Sequence, residues 1–162
     1  MQIHKIFFEY FTLKKCQKIH IYLPLYKNKE VDTWPIVSTL QNERKEIVIS
    51  VPKLVGSPMF IQSYQIGMPL KENQWGIQEP VESVFIPAYE LDLVVLPLII
   101  FDKRGYRVGC GKGHYDRFLK KCREDIVKVG LCFEAPVEAI EDIKEYDVPM
   151  NYCVTPEEVY VF

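Results

Sequence analysis

The sequence has no excess of basic residues. Its 20 lysines and arginines are balanced by 22 aspartates and glutamates, which gives a formal net charge of −2 at pH 7. A general nucleic-acid binder needs a basic surplus, because its affinity comes from releasing the counterions of the phosphates. We therefore expect no nucleic-acid partner, and any phosphate chemistry must come from a local cluster.

Long apolar segments are also missing. The longest apolar run, 93–101, is far shorter than the roughly 20 residues that a bilayer-spanning helix needs. The amino terminus, MQIHKIFFEYF, has one lysine and no small-residue cleavage site, so it makes a poor signal peptide. These features predict a cytoplasmic protein with no membrane partner.

Cysteine motifs are absent as well. The five cysteines are odd in number, and no two of them have the spacing of a zinc site or a redox pair. We expect reduced thiols, as is typical of cytosolic proteins. The cysteines are Cys16, Cys110, Cys122, Cys132 and Cys153.

What the sequence does contain is the pattern of a folded α/β domain. Apolar residues make up 48% and charged residues 26% of the 162 residues, which fits one domain over 1–162. Helical and strand-like segments alternate, and this order favours a three-layer α/β/α fold around a mostly parallel sheet. The predicted helices cover 2–16, a segment capped by Asp32 or Thr33, and 114–125. The predicted strands cover 18–26, 46–54, 58–66 (in a hairpin), 91–101 (central), 126–134 and 151–162, with a loop over 73–80.

The segment FDKRGYRVGCGKGHYDRF, 101–118, combines glycines with basic residues directly after the predicted central strand. Its G-x-G-x-G pattern lets successive backbone N–H groups converge on an anion, because glycine has no Cβ to clash. Arg107 and Lys112 add charges that suit phosphate oxygens, and the following helix would point its positive end at the same place. Asp116 suits a magnesium ion that bridges phosphates.

A surface turn is the alternative interpretation of this segment. The pattern lacks the residue order of a P-loop and the glycine spacing of a dinucleotide fold. Asp116 would then be an ordinary first-turn carboxylate, which the helix macrodipole stabilises. The chemistry of the residues leaves both interpretations open.

A family resemblance favours the phosphate site. LPLIIFDKRGYRVGCGKGHYDRF (96–118) resembles the signature F-D-x-x-G-x-R-L-G-x-G-x-G-Y-Y-D of the 5-formyltetrahydrofolate cyclo-ligase family, also called methenyltetrahydrofolate synthetases. KEVDT (29–33) and YDVPMNYCVTPEEVY (146–160) resemble two further motifs of the family. The resemblance covers about residue 18 to the C-terminus.

The resemblance implies an enzyme that uses ATP as co-substrate and Mg²⁺ as cofactor. Members of the family convert 5-formyltetrahydrofolate into 5,10-methenyltetrahydrofolate and release ADP and phosphate. The implied route is phosphorylation of the formyl oxygen, followed by attack of the folate N10 on the activated carbon. The implied partners are these small molecules, and we expect a monomer.

The resemblance also assigns roles within the glycine segment. Arg107 and Lys112 are the implied catalytic residues, which contact the ATP phosphates. Asp116 and Asp147 are the implied metal ligands, although Asp147 taken alone is a turn residue before Pro149. The implied ATP-binding residues are Arg107, Val108, Gly109, Cys110, Gly111, Lys112, Gly113, His114 and Tyr115.

Four residues are the implied folate contacts. Glu30 matches the acidic residue that holds the pterin end, and a carboxylate can accept two N–H bonds from such a ring side by side. Leu23, Trp75 and His114 are the other implied contacts. Taken alone, Glu30 is a solvated charge, Leu23 belongs to the core and Trp75 anchors a loop.

The sequence departs from the family pattern at its amino terminus. The family usually begins with an additional helix that carries a K-x-x-x-R pair for ATP, whereas MQIHKIFFEYFTLKKCQ resembles only the second helix. Three explanations are open: a truncated chain, a wrongly assigned start, or a family member with weakened ATP affinity. A non-catalytic or ATP-weakened folate- or nucleotide-binding relative is the alternative function. His114 replaces a usual tyrosine, and CFEAPVE (132–138) replaces F-x-x-Q.

Overall fold

The computed structural model describes residues 2–56, 58–109 and 113–162. Helices and strands alternate in the first third of the chain, as the sequence predicts. In chain order the elements are α1 (Gln2–Tyr10), β1 (Lys18–Ile21), α2 (Trp34–Glu43), β2 (Val48–Leu54), β3 (Met59–Ser63), β4 (Leu70–Glu72), β5 (Gln78–Pro80), β6 (Leu93–Pro97), β7 (Ile100–Phe101), β8 (Arg107–Val108), α3 (His114–Leu119), β9 (Val127–Leu131), β10 (Tyr152–Val154) and β11 (Val159–Val161).

Seven of the strands form one sheet in the order β11-β10-β9-β6-β1-β2-β3. The inner pairs are parallel, and the edge strands β11 and β3 run antiparallel to their neighbours. β6 lies in the middle because its apolar residues can be buried on both faces of the sheet. The predicted mostly parallel sheet, its central strand and the β2–β3 hairpin are confirmed.

Each face of the sheet has its own core, because side chains alternate between the two faces. Leu93 and Val95 of β6 share one buried cluster with residues of α1 and α2. Val94 and Leu96 share the other cluster with Phe118 of α3. Helices therefore cover both faces, which confirms the predicted three-layer α/β/α architecture.

The start of α2 follows the sequence prediction closely. Thr33 is the N-cap and Pro35 lies in the first turn, where its missing N–H costs nothing. The Thr33 hydroxyl donates to the Tyr22 carbonyl at 2.6 Å instead of capping the helix. The Asp32 carboxylate accepts from the Trp34 N–H at 3.0 Å. These contacts tie α2 to the end of β1.

The predicted strand over 91–101 is two strands. β6 ends at Pro97, which has no N–H to continue a strand ladder, and the chain then leaves the central sheet. β7 pairs antiparallel with β8 in a separate two-stranded sheet. The glycine segment therefore begins as a β-hairpin, in agreement with one part of the surface-turn interpretation.

Two predicted helices are shorter than expected. α1 ends at Tyr10, and Leu13 has a left-handed φ of 54°, which a helix cannot contain. α3 has six residues, and the N–H groups of Lys121 and Cys122 bond to carbonyls three residues back, which closes the helix with a tight turn. The predicted helix over 114–125 is therefore wrong beyond Leu119.

Two other segments are hairpins. β4 and β5 pair antiparallel across the predicted loop, with residues 73–77 as their connection. β10 and β11 also pair antiparallel, where we predicted one closing strand. Thr155 makes that turn, because its Oγ1 accepts from the N–H groups of Glu157 and Glu158.

Among the residues that the structure describes, no helix is both long and apolar enough to cross a bilayer. The four described cysteines are free thiols, and Cys132 and Cys153 are buried. Cys110 lies outside the described residues.

Candidate active site

The loop after β1 places Glu30 at the carboxyl end of the central strands. Glu30 is half-buried, and its Oε2 accepts from the Leu25 N–H at 2.7 Å. Lys29, which precedes it, has a left-handed φ of 55°, so the chain turns sharply there. The carboxylate is thus a fixed feature of the loop, which differs from the solvated charge that the sequence alone suggests.

The β4–β5 hairpin packs its turn on the same loop. Lys27 Nζ donates to the Trp75 carbonyl at 3.3 Å. Gly76 has a positive φ of 82°, and a Cβ there would lie 3.2 Å from Lys27 Nζ and 3.6 Å from Leu25 Cδ1. The structure therefore brings the Trp75 turn to the Glu30 loop. The Trp75 N–H also bonds to Asn73 Oδ1 at 2.9 Å, which fits the loop-anchoring interpretation.

Leu23 has a structural role. Only 4% of its surface is exposed, and it belongs to the core cluster shared by α1, α2 and the sheet. This position fits the core interpretation of Leu23, and its contact with a folate stays a prediction.

Asp102 organises the hairpin that begins the glycine segment. Its buried carboxylate accepts from the N–H groups of Arg104, Tyr106 and Ile140 at 2.9, 3.1 and 3.0 Å. Burial opposes ionisation, but these N–H donors and the Arg104 guanidinium outweigh it and lower the pKa of Asp102. The hairpin is therefore held by an ionised carboxylate at its base.

Gly105 lets this hairpin pack against the C-terminal strand. Its φ is 90°, and a Cβ there would lie 2.8 Å from Phe162 Cγ and 2.9 Å from the Met150 carbonyl oxygen. No side chain fits at this distance from a backbone oxygen. The glycine is required here for close packing as well as for its φ.

The Arg107 side chain is buried and hydrogen-bonded within the protein. It is 6% exposed, NH1 donates to the Val148 carbonyl at 2.7 Å, and NH2 donates to Asp116 Oδ1 at 3.1 Å. The same Oδ1 accepts from the Val148 N–H at 3.0 Å. Arg107, Asp116 and Val148 thus join β8, α3 and the segment before β10. The sequence did not predict this ion pair.

The two implied metal ligands lie near each other but differ in their contacts. Asp147 precedes Val148, yet its Oδ2 accepts from the Lys144 N–H at 2.8 Å, as expected of a turn residue. Asp116 uses Oδ1 alone in its contacts with described residues. Over the described ranges, no group of three or more His, Cys, Asp and Glu side chains is suited to a metal ion.

Gly113 begins α3 with a left-handed φ of 64°. His114 and Tyr115 follow in the first turn, and His114 Nδ1 lies 3.3 Å from Arg117 NH2. α3 starts directly after Gly113, as predicted, but has only six residues, and its contribution to phosphate binding stays a prediction. The implied ATP-binding residues Cys110, Gly111 and Lys112 lie outside the described residues.

Tyr115 connects the glycine segment with the central sheet. Its hydroxyl oxygen lies 3.0 Å from Nε2 of His20, a buried residue of β1. Burial, and then the negative charge of Glu30, raise the pKa of Tyr115. Burial and the Glu30 charge act in the same way on the pKa of Tyr22. Tyr115 also packs against the core cluster that contains Tyr22 and Val31, which flank the Glu30 loop.

The profile of the 5-formyltetrahydrofolate cyclo-ligase family matches residues 2–156. The chain belongs to this family. The match reaches further towards the amino terminus than the resemblance that starts at about residue 18. Cyclo-ligases are ligase enzymes, so the chain belongs to an enzyme family.

Individual relatives agree with the family. The chain is 29% identical over 163 residues to a probable 5-formyltetrahydrofolate cyclo-ligase of Schizosaccharomyces pombe, which covers 90% of this chain and 78% of the relative. It is 31% identical over 136 residues to the 5-formyltetrahydrofolate cyclo-ligase of Escherichia coli K12, with 81% and 74% covered. The NMR structure of Aquifex aeolicus 5,10-methenyltetrahydrofolate synthetase matches with a TM-score of 0.75 at 28% identity, over 99% of this chain and 79% of that one.

The cyclo-ligase motifs are distant in sequence but close in the fold. Arg107 and Asp116 come from the glycine segment and Val148 from the last motif, and these two segments meet through the hydrogen bonds above. His20 is the site-proximal residue that sequence reasoning missed. Its signal was a histidine between the two isoleucines of the strand KIHI, a position where a buried polar side chain needs hydrogen-bond partners.

Proposed function

We propose that the protein is a 5-formyltetrahydrofolate cyclo-ligase that consumes ATP. The proposal is supported most strongly by the family match over residues 2–156. The products are 5,10-methenyltetrahydrofolate, ADP and phosphate. We further propose that it acts as a cytoplasmic monomer.

The reaction needs an activated formyl group. N5 carries the formyl group, and the oxygen of this group is a poor leaving group. The oxygen therefore first attacks the terminal phosphorus of ATP, and ADP departs. N10 of the folate then bonds to the formyl carbon, its proton is lost, and the carbon–oxygen bond breaks to release phosphate. Each step depends on alignment and charge neutralisation, and neither requires a nucleophile from the protein.

Glu30 is the proposed anchor for the pterin end. Its Oε2 accepts from the Leu25 N–H, which fixes the orientation of the carboxylate. A carboxylate has about four acceptor positions, so it suits the side-by-side N–H donors of a 2-amino-4-oxo pterin ring. The Trp75 turn lies over the same loop and would limit the access of water to the ring.

The phosphate end is proposed to lie along the glycine segment, with Lys112 on the phosphates. Arg107 NH1 and NH2 are both used in internal contacts, so we assign it mainly to holding Asp116 in place. Asp116 fits Mg²⁺, because this ion commonly takes one or two carboxylates and completes its shell with phosphate oxygens and water. A bound Mg²⁺ would neutralise phosphate charge, with Asp116 as its ligand and Asp147 as a neighbouring carboxylate.

The test is formation of the methenyl product, followed by its absorbance, in purified protein given 5-formyltetrahydrofolate, ATP and Mg²⁺. We expect turnover that stops when ATP is omitted or Mg²⁺ is chelated. Calorimetry with ATP and with the folate, each alone, accompanies the assay. Binding without turnover would overturn the proposed activity and support a non-catalytic relative.

A further inference from the structure

His20 is a buried titratable residue without a role in the proposed reaction. It lies on β1 near the centre of the sheet and has no exposed surface. Its ring packs against Tyr115 and Phe118 of α3, with centroid distances of 5.6 and 5.3 Å. Burial lowers the pKa of His20 to about 3, so the ring is neutral at physiological pH.

Both ring nitrogens of His20 have hydroxyl partners. Nε2 lies 3.0 Å from the Tyr115 hydroxyl and Nδ1 lies 3.4 Å from Ser50 Oγ. Ser50 Oγ also lies 3.3 Å from the Ile19 carbonyl oxygen. His20 and Ser50 are opposite each other in the β1–β2 register, so their side chains share one face of the sheet.

The direction of every proton in this chain follows from the Ile19 carbonyl, which can only accept. Ser50 has one hydroxyl proton and gives it to Ile19, so Ser50 Oγ accepts from Nδ1–H of His20. A neutral imidazole has a single N–H, which leaves Nε2 as an acceptor. Tyr115 therefore donates its hydroxyl proton to Nε2.

This direction decides what Tyr115 offers to a ligand. Its only proton is committed to His20, so the hydroxyl oxygen can act towards the site only as an acceptor. The Glu30 carboxylate is an acceptor as well, and its loop lies between Tyr22 and Val31, two residues of the cluster on which Tyr115 packs. Two neighbouring acceptors favour a ligand edge that carries N–H donors and disfavour an edge that carries acceptors, since buried acceptors that face each other stay unpaired.

We propose that His20 is a positioning residue, which holds the Tyr115 hydroxyl as an acceptor beside Glu30 and so selects the N–H donor edge of the folate ring. This inference rests on the proposed function and deepens it. His20 does not contact the substrate. It acts through Tyr115, and Ser50 sets the tautomer that makes this possible.

The kinetic test uses His20→Phe, which keeps an aromatic ring but removes the acceptor. We expect the KM for 5-formyltetrahydrofolate to rise about three- to tenfold, in keeping with one lost hydrogen bond, and to rise more than the KM for ATP. His20→Gln is the conservative control, because its amide can still accept from Tyr115, and it should recover most of the loss. An unchanged KM for the folate in His20→Phe would overturn the proposal.

A double variant separates action through Tyr115 from a general structural effect. Tyr115→Phe and the combination His20→Phe/Tyr115→Phe should raise the folate KM equally, because the second change removes a bond that is already lost. If the folate KM of the double variant rises by the product of the two single effects, the residues have independent roles, which would contradict the proposal.

A spectroscopic test does not depend on turnover. In ¹⁵N-labelled protein, the His20 ring should be the neutral tautomer with the proton on Nδ1, at neutral pH and without ligand. A proton on Nε2 would overturn the inference even if the enzyme is active. If the wild-type protein shows no turnover, the proposed function fails, while the tautomer and calorimetric folate binding by the same variants still test His20.

Discussion

Arg107 holds Asp116 through a contact of 3.1 Å between its guanidinium NH2 and the carboxylate Oδ1. The pair joins two positions of the glycine segment that are nine residues apart, and the Val148 backbone bonds to both members. Arginine is suited to this position because its planar fork can donate to two acceptors at fixed angles. The geometry makes Arg107 a structural support of the glycine segment.

In Arg107→Lys, the lysine should therefore not fulfil the supporting role of the arginine. The ammonium group keeps the charge but cannot bond to both Val148 and Asp116, so we expect about 2 kcal/mol of lost stability and a higher Mg²⁺ requirement for turnover. Urea unfolding and a Mg²⁺ titration measure the two effects. Arg117→Ala, on the exposed side of α3, is the control and should change stability by less than about 0.5 kcal/mol. Equal behaviour of Arg107→Lys and wild type would contradict the supporting role.

Lys112→Ala should reduce turnover sharply without changing stability. We expect at least a ~100-fold loss of kcat, because a positive charge on transferred phosphate stabilises the transition state more than the bound substrate. The measurement compares the initial rate with the urea midpoint of the same preparation. A normal rate would remove Lys112 from the mechanism.

Gly105→Ala should destabilise the protein far more than Gly109→Ala. A Cβ at Gly105 would meet the Met150 carbonyl oxygen at 2.9 Å with φ at 90°, whereas at Gly109 the nearest heavy atom is the Pro97 carbonyl oxygen at 3.9 Å. We expect a loss of about 3 kcal/mol at Gly105 and less than about 1 kcal/mol at Gly109. Urea midpoints measure both. Similar midpoints for the two variants would show that the hairpin can shift to accept the methyl group.

Glu30→Gln should weaken folate binding selectively. The amide oxygen can still accept from the Leu25 N–H, so the loop is retained, but a charge-assisted acceptor for the pterin is lost. We expect roughly a tenfold or larger rise in the dissociation constant for 5-formyltetrahydrofolate and little change for ATP. Calorimetry measures both ligands, and exposed Glu124→Gln is the control. A parallel loss of both affinities would place Glu30 outside the folate site.

The sequence predicted the parts of this fold that depend on local patterns. The apolar run of β6, the start of α2 at Thr33 and the β2–β3 hairpin all follow from hydrophobic pattern or turn chemistry. The family resemblance also implies that Glu30 and the glycine segment serve one reaction, which stays a prediction. What could not be predicted depends on contacts between distant segments: Arg107 with Val148, Asp102 with Ile140, and His20 with Tyr115. Such pairs have no signal in residue spacing, because the packing of the sheet faces decides them.

The predicted ends of two elements, α3 and β6, were wrong. α3 stops at Leu119, although the residues that follow are good helix formers, because the chain turns there to reach β9 and Arg123 pairs with Asp92 at 3.0 Å. β6 stops at Pro97, although the apolar run continues to Phe101. In α3 a tertiary requirement outweighed the local preference, whereas in β6 the missing N–H of Pro97 ended the strand.

The buried His20 should make stability depend on pH in a defined window. Its pKa is lowered by burial from 6.5 to about 3, so between these values the unfolded chain binds a proton that the folded protein does not. The full contribution is present above pH 6.5 and is lost as pH falls towards 3, at about 1.4 kcal/mol per pH unit. The lowered pKa of Asp102 affects stability only at lower pH, below the usual carboxyl range.

Urea unfolding at pH 7.0, 6.0 and 5.0 tests this window in wild type and His20→Phe. Between pH 6.0 and 5.0, we expect the free energy of unfolding of the wild type to fall by about 1 kcal/mol per pH unit more than that of His20→Phe. His4, whose pKa is lowered first by burial, is present in both proteins, so its contribution cancels in the difference. Parallel pH profiles would mean that His20 titrates normally in the folded protein, which its enclosure between Tyr115, Phe118 and Ser50 should prevent.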